Sequence, residues 1–152
     1  GRLKRLERHV KDDTFLVTYG DGLSNVNLDE LVAFHKDHGK MVTVTGVRPT
    51  ARFGELSVDD ENTVTSFMEK PEQSKFDAAV NGGFFVMNRE IFDYLTEDED
   101  CDLEYGAFEK IASEGQLKVF SHEGFWYCMD NVRDMDALNA MWQSRQAPWK
   151  IW

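Results

Sequence analysis

The sequence predicts an α/β fold in a single domain over residues 1–152, and three observations carry that prediction. Phe15-Leu16-Val17-Thr18-Tyr19 is an apolar, β-branched and aromatic run. It is bounded by Lys11-Asp12-Asp13 before and by Gly20 and Gly22 after, the pattern of a strand buried on both faces. Met41 to Val47 is a second such run, stopped by Pro49. Between them lies a helical pattern with Asn27 or Asp29 as its cap, Leu28, Leu31, Val32 and Phe34-His35 as its apolar face, and Gly39 at its end. A strand, a helix and a second strand make one βαβ crossover, which predicts a parallel pair with a right-handed connection.

The remaining elements follow in order. Leu3, Leu6 and Val10 fall at helical spacing among basic residues and feed the Phe15 strand. The chain starts at Gly1 without Met and already in a helical pattern, so it is expected to be part of a larger protein. Glu55 to Val58 alternates, Asp59 to Asn62 is turn chemistry, and Thr63 to Met68 alternates again, giving a β-hairpin that ends at Glu69-Lys70-Pro71. Ala79 to Met87 is a strand with Gly82-Gly83 in its first half. Paired glycines in a strand imply a bulge or the close approach of a ligand to the backbone. Asn88 is expected to cap a short helix through Ile91, Phe92 and Leu95, and a further helix is expected from about Leu103 to Ser113, closed by Gly115. Leu117 to Phe120 and Gly124 to Asp130 read as strands, and a last helix carries Met135, Leu138, Met141 and Trp142 on one face.

The formal charge of −11 leaves no basic surface to track a nucleic-acid backbone, so nucleic acid is not an expected partner. There is no apolar run of spanning length and no leader pattern. Cys101 and Cys128 form no Cys-x-x-Cys pair and read as thiols of a cytoplasmic protein that meets no membrane. The acidic run from Glu97 to Asp102 lacks the glycine and terminal glutamate of a calcium loop and reads as a solvated lead into the next helix. His35 and His38 share a helix without a third ligand and read as surface or boundary residues. Trp142, Trp149 and Trp152 are expected to pack the last helix onto a neighbour.

Two strands end in aspartate. Asp21 lies between glycines at the mouth of the Phe15 strand, where open α/β sheets place ligands, and Asp130 ends the Gly124 run. If the mouths are neighbours, the carboxylates make a site suited to Mg²⁺, with Lys70 as a point charge for a phosphate and Gly82-Gly83 allowing a sugar-like ligand to lie close. Each has a plainer reading: Gly-Asp-Gly is a good turn, Asp130 can cap the last helix, and Glu69-Lys70 can be an exposed strand end.

Several motifs occur together and in order: Thr18-Tyr19-Gly20-Asp21-Gly22, Arg52-Phe53-Gly54, Phe67-Met68-Glu69-Lys70-Pro71, Asn81-Gly82-Gly83-Phe84-Phe85, Gly124-Phe125-Trp126 through Met129-Asp130, and Ala147-Pro148-Trp149-Lys150. In this the whole chain resembles the sugar-1-phosphate nucleotidylyltransferases. The Arg-Phe-Gly, Gly-Phe-Trp and Ala-Pro-Trp-Lys elements point to the cytidylyl branch. The resemblance implies a Rossmann-like mixed, mostly parallel sheet flanked by helices, with glucose 1-phosphate and CTP as substrates and Mg²⁺ as cofactor. It implies Asp21 and Asp130 as metal ligands, Lys70 on the sugar phosphate, and Glu69 on sugar hydroxyls. Tyr19, Gly20, Gly54, Asn81, Gly82 and Gly83 are implied around the sugar.

The family's glycine-rich, arginine-containing triphosphate loop has no counterpart here, so the resemblance is to the C-terminal portion of such an enzyme. The expectation is a chain inactive alone, with an exposed sheet edge that favours a homo-oligomer. Related uridylyl-, thymidylyl- or guanylyltransferases, and a non-catalytic sugar-phosphate-binding or assembly module, are the alternatives. A metal-dependent glycosyltransferase fits less well, because Asp21-Gly22-Leu23 is not an Asp-x-Asp motif.

Overall fold

The structure, a computed structural model, describes residues 1–49, 55–68 and 79–152. Its centre is a four-stranded sheet of β1 (Thr14–Thr18), β3 (Val42–Val47), β6 (Val80–Asn88) and β7 (Leu117–His122), in the order β1-β6-β3-β7. β6 runs antiparallel to β1 and β3, while β3 and β7 are parallel, so three strands run one way and β6 reverses. Two smaller pairs accompany it: β2 (Gly22–Ser24) with β8 (Trp126–Cys128), and β4 (Glu55–Val58) with β5 (Val64–Met68). The latter is the hairpin the alternating pattern predicts.

The helices are α1 (Arg2–Arg5), α2 (Leu28–His38), α3 (Ala107–Ser113) and α4 (Val132–Gln143). α2 is bounded as its sequence dictates. The Asn27 side chain accepts from the Asp29 and Glu30 N–H groups, and Gly39 closes the helix at φ 61°, a left-handed conformation glycine adopts without steric cost. Neighbouring residues of β3 face opposite layers. Val42 and Val44 join Phe85, Met87, Ile91, Phe92, Phe108 and Ile111 in the core under α3, whereas Thr43 meets His35 of α2 on the other face. Helices therefore cover both faces, an α/β fold in three layers.

Five expectations are corrected. β1 and β3 point the same way but are not paired, because the nine-residue β6 lies between them. β1 is an edge strand of this sheet with Leu16 51% exposed, not a strand buried on both faces. A local hydrophobic pattern records burial and period, and it cannot say which distant strand pairs with which. Asn88 precedes a 3₁₀ turn (Arg89–Tyr94) without capping it through its side chain, which accepts instead from Thr14 Oγ1 at 2.8 Å. α3 begins at Ala107 rather than near Leu103, because Asp102 Oδ1 takes the Glu104 and Tyr105 N–H groups in a local turn that competes with helix.

His35, expected at the surface or boundary, is buried. Trp149 packs on Phe125 with centroids 5.4 Å apart, while Trp152 is exposed. Cys101 and Cys128 form no disulfide. Among the described residues, no helix is long and apolar enough to cross a membrane.

Candidate functional site at the mouth of the sheet

The site lies where β1 leaves the sheet. After Thr18 the chain turns through Tyr19, Gly20 and Asp21 and enters β2, which pairs with β8. The register sets Gly22 opposite Cys128, and the Met129 N–H donates to the Asp21 carbonyl at 2.9 Å. That ladder brings the ends of two strands remote in sequence to one place. A ligand atom from each of Asp21, Cys128 and Asp130 lies within 4.8 Å of the other two, with both carboxylates exposed. Asp130 does not cap α4. Asn131 does, accepting from the Asp134 N–H at 3.1 Å.

β6 supplies the opposite wall. Its pairing with β3 shifts between Val44 and Gly46, which oppose Phe85 and Asn81, so the strand bulges at Gly82-Gly83. The bulge is packed by protein. A Cβ on Gly83, at φ +76°, would lie 2.9 Å from the Tyr19 ring, and one on Gly82 would lie 2.8 Å from Val47 Cγ1. Trp126 of β8 donates from Nε1 to the Gly82 carbonyl at 2.7 Å, fastening the small sheet to the large one. Asn81 accepts the Gly83 N–H at 2.9 Å and donates to the Tyr19 hydroxyl at 3.4 Å, and that hydroxyl donates to Glu104. Above Gly20 the space is open, since a Cβ there would meet nothing within 4 Å.

Tyr19, Gly20, Asp21, Asn81, Gly82, Gly83 and Asp130 thus gather at one end of the sheet. Gly54, Glu69 and Lys70, with the Arg52-Phe53 and Pro71 motif residues, lie outside the described residues. A cavity of about 1070 Å³ opens beside Asp21, walled by basic Arg2, Lys4 and Arg5 on one side and acidic residues from Glu99 to Glu104 on another. Cys101 lines it. The Thr96 N–H, which donates to its sulfur at 3.3 Å, holds that thiol below its ordinary range.

Two residues beside the aspartates escaped the reading of the sequence. Cys128 ends β8 two residues before Asp130, and its thiol donates to the Asp130 carboxylate at 3.1 Å. Asp134 is buried. Its carboxylate accepts from the Asp130 N–H at 3.2 Å and Asn131 Nδ2 at 2.8 Å, and so fixes the backbone that presents Asp130. The Asn-x-x-Asp spacing is a reciprocal capping pattern and was the available signal.

Fold and site together describe an α/β protein with two carboxylates gathered at the mouth of its sheet, and comparison with known proteins gives its family. A family model described as nucleotidyl transferase matches residues 3–143, and the chain belongs to that family. It is 40% identical over 152 residues to a probable glucose-1-phosphate cytidylyltransferase of Bacillus subtilis, covering all of this chain and 58% of that protein. It is 42% identical over 153 residues to the glucose-1-phosphate cytidylyltransferase of Salmonella typhi, again covering 58% of the relative. The chain therefore spans somewhat over half the length of these curated relatives. Among solved structures, a putative glucose-1-phosphate thymidylyltransferase from Bacillus anthracis matches with a TM-score of 0.62 at 20% identity, over 91% of this chain and 58% of that one, which supports the fold.

Proposed function

We propose that this chain carries the sugar-phosphate- and metal-binding part of a glucose-1-phosphate cytidylyltransferase. The reaction joins CTP and glucose 1-phosphate to give CDP-glucose and pyrophosphate. The single observation that carries the reading is the convergence of Asp21 and Asp130 at the mouth of β1, facing the Gly82-Gly83 bulge. The two cytidylyltransferase relatives and the Gly124-Phe125-Trp126 and Ala147-Pro148-Trp149-Lys150 motifs support the choice of nucleotide.

In this reaction a phosphate oxygen of the sugar phosphate forms a bond to the α-phosphorus of the triphosphate. The bond to the bridging oxygen breaks, and pyrophosphate leaves with the electron pair. Such transfer asks the protein for positioning and charge neutralisation more than for covalent chemistry. Two exposed carboxylates fit Mg²⁺, which takes one or two protein carboxylates and keeps its other positions for water and phosphate oxygens. Once bound, the cation supplies positive charge to the phosphates. Asp21 and Asp130 would hold it, and Asp134 and the β2–β8 ladder fix their backbones. By resemblance Asn81, held between Tyr19 and the Gly83 N–H, and the Gly82-Gly83 backbone lie beside the sugar. By resemblance Lys70 meets the sugar phosphate and Glu69 the sugar hydroxyls.

The test is calorimetric titration of glucose 1-phosphate into the chain with Mg²⁺, repeated with Lys70→Ala. Saturable heat is expected in the parent, with affinity reduced about tenfold or more in the variant, the loss of a charge-assisted contact. No heat from the parent at ligand on the order of 1 mM, a generous concentration for a metabolite site, would sink the reading.

A further inference from the structure

Asn81 stands at one end of a line of hydrogen bonds that finishes on Glu104, and the direction of each bond follows from what its groups can donate or accept. An ionised carboxylate only accepts, so the Tyr19 hydroxyl gives its single proton to Glu104. The Tyr19 oxygen is left as an acceptor and takes Asn81 Nδ2 at 3.4 Å. A backbone N–H only donates, so Asn81 Oδ1 faces Gly83 at 2.9 Å. Both neighbours therefore select the same orientation of the Asn81 amide. The middle of the line is held firmly. The Tyr19 N–H donates to the Gly83 carbonyl at 2.9 Å, its ring centroid lies 5.3 Å from that of Phe85, and a Cβ on Gly83 would come within 2.9 Å of the ring. Glu104 is set by a turn in which Asp102 Oδ1 takes its N–H at 2.8 Å. A plain tie between β1 and the lead into α3 would stop at Tyr19. The distinguishing feature is the exposed Asn81 beyond it, whose Nδ2 carries a second hydrogen for a ligand oxygen.

We propose that Glu104 is a positioning residue for the sugar: acting through the Tyr19 hydroxyl, it holds the Asn81 amide with Nδ2 as the donor offered to a sugar hydroxyl oxygen. The inference rests on the proposed function in taking Asn81 as a neighbour of the sugar, and it adds the residue that orients it. Without the Glu104 carboxylate the Tyr19 proton is free to turn toward Asn81, where it opposes the Nδ2 hydrogen. Gly83 then favours one orientation of the amide and Tyr19 the other, and the donor is no longer fixed. The Asn81–Tyr19 bond, at 3.4 Å, is the longest in the line. Hydrogen bonds around an unliganded site are often long and tighten when the ligand arrives.

The test is calorimetric titration of glucose 1-phosphate, with Mg²⁺, into Glu104→Ala, Tyr19→Phe and the double variant, each verified as folded by circular dichroism. Glu104→Ala is expected to weaken binding about threefold to tenfold, the scale of one hydrogen bond. Glu104→Gln, which keeps an acceptor for the Tyr19 proton, restores most of that affinity. In the Tyr19→Phe background Glu104→Ala costs nothing further, a coupling that a residue supporting the fold alone does not show. In heteronuclear NMR spectra the Asn81 Nδ2 signals, identified by their loss in Asn81→Asp, shift in Glu104→Ala and in Tyr19→Phe and return toward the parent position in Glu104→Gln. Two results overturn the proposal: unchanged affinity in Glu104→Ala, or an equal loss in the parent and Tyr19→Phe backgrounds. If Glu104→Ala does not fold, Tyr19→Phe carries the test, and Asn81 signals that stay in place there break the link. A parent that binds no glucose 1-phosphate while the Asn81 signals still move sinks the sugar reading and leaves the link from Glu104 to Asn81 standing. Binding that is indifferent to Glu104 does the reverse.

Discussion

His35 is 2% exposed, and it can be buried because each of its ring nitrogens has a partner. The network has one consistent proton assignment, inferred from donors and acceptors. Asn88 Oδ1 only accepts, so His35 donates to it from Nε2 at 3.0 Å, which leaves Nδ1 to accept from the Thr43 hydroxyl at 2.8 Å. Thr43 Oγ1 then receives the proton of His38 Nε2 at 2.7 Å, and His38 Nδ1 accepts the Lys40 N–H at 2.9 Å. Both imidazoles are neutral in this arrangement. Partial burial, with His35 and Lys118 nearby, holds His38 below its ordinary value of 6.5. Between the two values the unfolded chain binds more protons than the folded one, so stability rises with pH. The His38 contribution is complete above about pH 6.5 and is lost as pH falls below it. Urea-unfolding midpoints from pH 5 to pH 7.5, roughly the window of histidine titration, are expected to change less steeply in His38→Gln than in the parent. Equal slopes would assign the pH dependence to other groups.

At the scale of elements, the β2–β8 pair depends on its neighbours. Two strands of three residues are not stable in water by themselves. The pair is held by the Trp126 bond to Gly82 and by Ser24, whose hydroxyl donates to the Phe125 carbonyl at 2.9 Å. Trp126→Phe keeps most of the aromatic bulk and removes the donor, leaving the carbonyl of a buried residue unpaired. The expected cost is about 1–3 kcal/mol. Native-state hydrogen exchange checks where it falls: the β2–β8 amides are expected to exchange faster while β3 and β6 keep their protection. Uniform acceleration across all strands would show that the tie supports the whole sheet and not the small pair.

For the molecule as a whole, the proposed cation site would link two segments remote in sequence. Asp21 follows the first strand of the sheet and Asp130 precedes the last helix, so the unfolded chain does not present them together. Any cation that requires both binds the native state alone and raises its stability by mass action, about 2.7 kcal/mol at a hundred times its dissociation constant. The thermal midpoint is expected to rise with added Mg²⁺, to fall back on chelation, and to show neither change in Asp21→Asn. A midpoint that responds equally in that variant would place the bound cation elsewhere on this strongly acidic surface.

Much of this was legible in residues that act locally. Asn27 and Gly39 bound α2, the Asp59-to-Asn62 turn sets the hairpin, and Gly82-Gly83 announces the bulge, because caps, turns and positive φ depend on a few adjacent side chains. Asp21 and Asp130 stood out as candidates for the same reason, each a carboxylate at the end of an apolar run. Pairing is non-local, and there the pattern fell silent. It could not reveal that β6 parts β1 from β3, that three residues of β8 find three of β2, or that Cys128 thereby joins the two aspartates. Those relations depend on hydrogen-bond ladders between remote segments, which form only when the whole core is assembled.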